Sequence, residues 1–323
     1  MSLLKLHLSM LGTLAFLIAM SSLFFAIILR LLGVFNIVAW AFFVILFNFI
    51  QWLIAPYLIN ALYRTREVSR ADQPKLYGMV ESLSHKIGVK MPKVMIANIG
   101  LPNAFAYGSP MTGSSVAVTT GLLTTLEDEE VEAVIGHELG HLKHRDVQIM
   151  MFASVLPAVF YFIGYSLMLS GWFGGGRRNG GAAAVLVGLG CMAIYWILTL
   201  FVLRLSRLRE YYADRRSAMT VEDGARKLSE GLAKIVTATS QMRSYRREAG
   251  GVNSFKALFI SDPDHAELDA VNLPQARDLT ADQRLVQSVL ARKVTLADRI
   301  MEALSTHPNI TKRLKALQEL SRI

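Results

Sequence analysis

One cysteine, Cys191, occurs in 323 residues, and it lies in an uncharged apolar stretch. No disulfide can form within the chain, and zinc clusters built from cysteine and histidine are excluded. Charged residues are scarce at 18%, and acidic ones are outnumbered by basic ones, 25 against 34, leaving a formal charge of +9. Such an excess invites a nucleic-acid reading. Zinc-finger, RNA-recognition and basic-helix signatures are all missing, however, so no nucleic-acid partner is expected. Internal repeats and long low-complexity tracts are missing too, and Gly174 to Gly181 is a flexible turn rather than a domain linker.

What the chain has in excess is apolar residues, 53% of the total, gathered in blocks. Leu8 to Leu29, Leu31 to Tyr63, Val147 to Phe173 and Gly180 to Leu203 carry no charge, with Arg30 between the first two and Arg177 and Arg178 between the last two. Each block is long enough to cross about 30 Å of hydrocarbon as a helix. Four transmembrane helices are therefore expected, arranged as two hairpins over residues 1–63 and 147–203. A cleaved signal peptide fits the first block poorly, because its apolar run is too long and a second block follows almost at once. Arg64, Arg66, Arg70 and Lys75 follow the second block, Lys143 and Arg145 precede the third, and Arg204, Arg207 and Arg209 follow the fourth. Those ends should be cytoplasmic, as should the N-terminus beside Lys5; Arg30, Arg177 and Arg178 point the other way and are outvoted.

Two segments, 64–146 and 204–323, remain outside the lipid and must assemble with each other. In the first, Gln73 to Ile87 has the spacing of an amphipathic helix, Lys93 to Ala97 reads as a strand, and Ala104 to Tyr107 with Val116 to Thr119 as a hairpin. Glu127 to Arg145 reads as one helix, with Thr125 and Asp128 placed like a capping box. The second segment is mostly helical, over Leu205 to Met219, Gly224 to Thr239 and Thr311 to Leu320, with loops at Arg243 to Gly251 and Asp262 to Asp278.

The run His137-Glu138-Leu139-Gly140-His141 carries the chemistry. Positions i and i+4 share a helix face, so both imidazoles can reach one tetrahedral zinc ion, with Glu138 beside them to act as general base and acid. Peptide-bond hydrolysis suits such an arrangement. His144 lies too far along the helix from His137, about 10 Å, for both to bind one ion at about 2 Å. Glu210 and Asp214, again at i and i+4, supply a third ligand and a carboxylate for the far nitrogen of a ligand histidine. The competing reading pairs both acids with Arg207, Arg209, Arg215 or Arg216 at a membrane surface. Position favours the first: His141 precedes the third apolar block by a rise of roughly 9 Å and Glu210 follows the fourth by roughly 10.5 Å, so the two approach from one side at similar heights.

These features together, the HELGH helix, the Glu-x-x-x-Asp helix after an apolar hairpin and the segment Asn103-Ala104-Phe105-Ala106, resemble HtpX-type membrane zinc metalloproteases, and more distantly the CaaX-prenyl proteases, which have more spans. The resemblance implies a multi-pass protease of the prokaryotic inner membrane, one zinc ion per chain, an active site facing the cytoplasm, and polypeptide substrates, chiefly misfolded membrane proteins in quality control and stress response. It also suggests that Asn103 to Tyr107 is an edge strand that pairs with substrate, the alternative being an ordinary hairpin edge. His307-Pro308 followed by Arg313 resembles a late His-Pro and Arg feature of related proteases. His307 then either approaches the metal, blocking it or steadying the oxyanion, or merely opens a helix, and Arg313 anchors an acid such as Asp214 rather than touching substrate. The expected fold is mainly α, with a four-helix transmembrane region and a cytosolic zincin-like domain containing a small β-sheet. A prenyl-peptide protease and a non-catalytic zinc-binding membrane adaptor are the rival functions.

Overall fold

The computed structural model describes residues 50, 53–173, 180–246 and 280–321. The first expected membrane span and most of the second, with the histidines His7 and His265, lie outside them. Among the described residues the chain is mostly helical with one four-stranded mixed sheet. It forms two compact units, one built on Gln148–Leu208 and the other on Leu53–Val147 with Arg209–Ile323.

The second unit begins with α1 (Leu53–Tyr63) and strand β1 (Thr65–Glu67). Helix α2 (Pro74–Ile87) opens on a proline, whose missing N–H is no loss in a first turn, and stops at Gly88, which takes the left-handed conformation at φ 70°. Its buried Leu76, Val80, Leu83 and Ile87 recur at helical spacing along one face. Strands β2 (Lys93–Ala97), β3 (Ala104–Ser109) and β4 (Gly113–Thr119) complete the sheet in the order β1-β2-β4-β3. β2 runs parallel to β4, while β3 pairs antiparallel with β4 and forms one edge, β1 the other.

Alternation along these strands separates two faces. Val94, Ala104, Ala106, Val116 and Val118 join the main helical core, whereas Met95, Ala97, Phe105, Tyr107 and Ala117 pack around Tyr63 at the end of α1. The phenol of Tyr107 donates to Asn60 Oδ1 at 2.5 Å, tying the same strand to α1.

After a short α3 (Thr120–Thr125) comes α4 (Asp128–Lys143), the helix that carries the HELGH run. Its capping box is formed by Glu127 and Glu130, not by Thr125 and Asp128 as expected. The Thr125 hydroxyl is spent inside α3, donating to the Gly121 carbonyl at 2.7 Å, and the cap falls to Glu127, two residues further on. α4 also ends sooner than expected: Arg145 lies at φ 54°, which breaks the helix before α5 (Asp146–Phe173).

α5 and α6 (Gly180–Thr220) supply the first unit, where Ala153, Phe160, Leu198, Val202 and Leu205 make a separate apolar cluster. Gly164 sits opposite Gly188 and the buried Cys191, so backbones approach closely there. Among the described residues, one helix is long and apolar enough to cross a membrane, Gly181–Thr220 within α6. From Arg209 onward α6 belongs to the second unit.

α7 (Gly224–Arg246) lays Leu228, Leu232, Ile235 and Val236 into the main core beside Val131, Val134, Ile135 and Leu139 of α4. The loop expected from Arg243 thus begins as helix, and the rest of that loop lies outside the described residues. α8 (Ala281–Ala291) and α9 (Leu296–Ala303) fall where no element was expected, and α10 (Ile310–Leu320) closes the core with Ile310, Leu314 and Leu317.

α4 meets the last turns of α6 without side chains on its near face. A Cβ at Gly136 would lie 3.0 Å from Val221 Cγ2 and 3.1 Å from Ser217 Oγ, and one at Gly140 would lie 3.2 Å from Ala213 Cα. The Ser217 hydroxyl crosses this seam to the Ala133 carbonyl at 2.6 Å. For Gly140→Ala, a gain in helix propensity of about 1 kcal/mol opposes a contact short by only a few tenths of an ångström, so little net change in unfolding midpoint is expected. Gly140→Leu has no such compensation. It should cost about 3 kcal/mol or more and lower the zinc content, measured by denaturation in detergent and by metal analysis.

Candidate active site

His137 and His141 emerge from one face of α4, and each has a carboxylate on its Nδ1. Asp214 lies 2.9 Å from His137 Nδ1, and Asp146 lies 2.7 Å from His141 Nδ1. With the proton held on Nδ1, the Nε2 lone pairs are left free, and the two Nε2 atoms face each other at 3.1 Å. Glu210, from α6, brings carboxylate oxygens to 3.7 Å from His137 Nε2 and 3.5 Å from His141 Nε2.

A tetrahedral zinc with bonds of about 2.05 Å separates its donors by about 3.3 Å. The 3.1 Å between the two Nε2 atoms is close to that value, and Glu210 sets one oxygen against each imidazole, Oε2 at 3.7 Å from His137 Nε2 and Oε1 at 3.5 Å from His141 Nε2. These three residues could therefore hold one zinc ion, and their ligand atoms all lie within 4.8 Å of one another.

Glu210 and Asp214 are both buried, which on its own would favour their neutral forms. For Asp214 that penalty is outweighed by Arg313 and His137, and its carboxyl is lowered. For Glu210 it is outweighed by His307, Arg313 and His137, which hold its carboxyl well below the usual range. Arg313 reaches in from α10, 99 residues beyond Asp214, and is itself only 1% exposed. Its Nε and Nη2 donate to the two Asp214 oxygens at 2.9 and 2.6 Å, and its Nη1 lies 3.1 Å from Glu210 Oε2. His307 is buried, with Nδ1 3.2 Å from Glu210 Oε2, so it stands beside the ligand cluster as well as preceding α10.

Glu138 points from the next position of α4 towards the sheet edge. Burial pushes its carboxyl up to about 7, although the backbone N–H of Ala106 on β3 donates to it and draws it down. A carboxyl near neutrality can both take and release a proton. Burial lowers His137, whereas at His141 burial is outweighed by Asp146, Glu210 and Glu138, and the imidazole is raised.

Asn103 is completely buried at the head of β3, its N–H donating to Thr119 Oγ1 at 2.9 Å. His144 caps α4 and lies beside Tyr212, with ring centroids 5.4 Å apart and the planes tilted by 59°. His85 is exposed on α2. The cation facing both Glu210 and Asp214 is Arg313, while Arg209 lies against Asp146, with Nε 3.0 Å from Oδ1. Asp146 and Arg209 are the site residues that sequence reasoning missed. The available signal was an acid five positions after His141, read only as the end of a segment, and a cation next to Glu210, absorbed into the charge pattern at the end of an apolar block.

A helix bearing His-Glu-x-x-His whose imidazoles meet a glutamate from a later helix defines a zinc metallopeptidase. The chain belongs to peptidase family M48, whose model matches residues 70–321. It is similar to the protease HtpX homolog of Thermoplasma acidophilum, 37% identical over 281 residues covering 85% of this chain and 83% of the relative. The protease HtpX homolog of Aeropyrum pernix is 39% identical over 277 residues, covering 84% and 82%. In fold the chain resembles the crystal structure of S. mikatae Ste24p, with a TM-score of 0.54 at 14% identity, over 97% of this chain and 67% of that one. The protein is a metalloprotease with zinc as its cofactor.

Since Glu210 and Asp214 are lowered in the folded chain, the stability they contribute is present above about pH 4 and is lost as pH falls towards their lowered values. The metal-free protein should unfold progressively more easily below about pH 4. Arg313→Met should flatten that acid limb and cost about 3–5 kcal/mol at neutral pH, because it leaves two buried carboxylates without their cation. Denaturant midpoints of both proteins between about pH 3 and 7 check this.

Proposed function

We propose that this chain is a membrane-anchored endopeptidase in which His137, His141 and Glu210 hold zinc and Glu138 is the general base and acid. The observation that carries the reading is the convergence of two bare Nε2 atoms and the Glu210 carboxylate, whose ligand atoms lie within 4.8 Å of one another. Zinc, when bound, supplies Lewis acidity towards a peptide carbonyl and makes water more acidic. Glu138 takes the proton from the attacking water and delivers it to the departing amide nitrogen. Its carboxyl, raised towards neutrality, suits both halves of that transfer. Asp214 holds His137 in the required tautomer, and Arg313 keeps Asp214 and Glu210 ionised.

β3 is the sheet edge nearest this chemistry, since the Ala106 N–H reaches Glu138. An extended substrate would add to that edge by main-chain hydrogen bonds, starting beside Asn103, with its scissile carbonyl over the metal. His307, beside Glu210, is placed to steady charge on the carbonyl oxygen as it develops.

Extended backbone is what such an edge accepts, so folded domains are excluded and unfolded loops or tails of membrane proteins are the favoured substrates. The likeness to HtpX homologs and the uncharged blocks support four membrane spans in two hairpins, over 1–63 and 147–203, with 64–146 and 204–323 forming a protease domain on the cytoplasmic side. Its work would be quality control of damaged membrane proteins.

Glu138→Gln keeps the shape of the side chain and removes the base. The purified variant should retain about one zinc per chain and cleave casein, or an unfolded membrane protein, about 10²–10⁴-fold more slowly. Cleavage at the wild-type rate with zinc present would remove the mechanism and leave a structural, non-catalytic zinc site.

A further inference from the structure

α4 and α5 are separated by His144 and Arg145 alone, and Arg145 sits in the left-handed region at φ 54°. That conformation costs an L-residue about 1–2 kcal/mol. Had α4 continued straight, residue 146 would stand about 140° round the helix from His141 and about 7.5 Å further along, beyond reach of its imidazole. The turn instead brings the Asp146 carboxylate back to His141 Nδ1 at 2.7 Å.

The other Asp146 oxygen lies 3.0 Å from Nε of Arg209, the residue that precedes Glu210. Both members of this pair are buried, Asp146 to 1% and Arg209 to 7% exposure. Taking both charges out of water costs several kcal/mol per ion, and well-packed apolar side chains would commonly serve stability as well or better. A strained turn and a buried ion pair that meet at one imidazole are not accounted for by packing.

We propose that Asp146 is a positioning residue of the zinc centre, delivered by the left-handed turn at Arg145, held by Arg209, and fixing the tautomer and ring orientation of His141. The centre then has two arms. Arg313 and Asp214 act through His137, and Arg209 and Asp146 act through His141. The second arm also links His141 to the helix that carries Glu210, so one ion pair sets the distance between two donors. This rests on the reading of His141 and Glu210 as ligands.

The test measures zinc affinity by chelator competition on the full-length protein in detergent, together with the visible spectrum of the cobalt-substituted form. Asp146→Asn should bind zinc about 10–100-fold more weakly and shift the cobalt bands, and Asp146→Glu, which restores the charge, should recover part of the loss. Arg209→Gln, which leaves Asp146 in place, should weaken binding by a smaller factor and serves if Asp146→Asn does not fold. The double variant should lose no more than Asp146→Asn alone, because the two act as one unit. Wild-type affinity and spectrum in both single variants, or a double variant losing the product of the two factors, would overturn the proposal. His141→Ala is run alongside. If it abolishes tight binding while Asp146→Asn does not weaken it, the positioning role alone fails; if it binds zinc like the wild type, the metal-centre reading fails and this proposal with it.

Discussion

The close approach of α4 to the final turns of α6 is the constraint on which the centre depends. Two imidazoles on one helix and a carboxylate on another meet at 3.5 to 3.7 Å only because Gly136 and Gly140 present no side chain to Ala213, Ser217 and Val221. Those glycines alternate with the histidines along the same helix: Gly136 and Gly140 immediately precede His137 and His141. The residues that make the seam and the residues that make the site are therefore interleaved, and the contact between helices fixes the geometry of the donors directly.

Once the helices are that close, charge has to be managed without water. Glu138, Glu210, Asp214, Asp146, Arg209, Arg313 and His137 are all buried, and an isolated buried ion would be costly enough to change its protonation state. The arrangement avoids this by pairing. Each histidine Nδ1 faces a carboxylate, and each of those carboxylates faces an arginine, which leaves Glu138 as the acid with the least compensation. It is also the acid raised to about 7, so the same burial that would be a liability elsewhere suits it to proton transfer.

Much of the site could be read from the chain because its key spacings are local. His137, Glu138 and His141 follow from helical periodicity, as does the pairing of Glu210 with Asp214 on one face, and the hairpin of Ala104 to Tyr107 with Val116 to Thr119 follows from alternation between turn residues. The strand Lys93 to Ala97 and the helix after Gln73 fall where the patterns put them. Less was legible where tertiary contact decides. β1 has three residues and no periodic pattern, and exists by pairing with β2. The capping box moved from Thr125 to Glu127 because a preceding short helix claimed the threonine. Asp146 stayed hidden because only a left-handed arginine brings it back to His141, a conformation that sequence patterns give no reason to assign outside glycine, asparagine or aspartate. Of the four apolar blocks, Val147 to Phe173 and Gly180 to Leu203 are helical, while one helix among the described residues has the length and composition to cross a membrane.

X-ray absorption at the zinc edge of the purified full-length protein reads the metal's donor set itself. A centre of His137, His141 and Glu210 should give a shell of nitrogen and oxygen alone at about 2.0–2.1 Å, with outer scattering from two imidazoles that falls to one in His141→Ala, and an altered shell in Glu210→Ala. A shell with one imidazole or none in the wild type, or a spectrum that Glu210→Ala leaves unchanged, would contradict it.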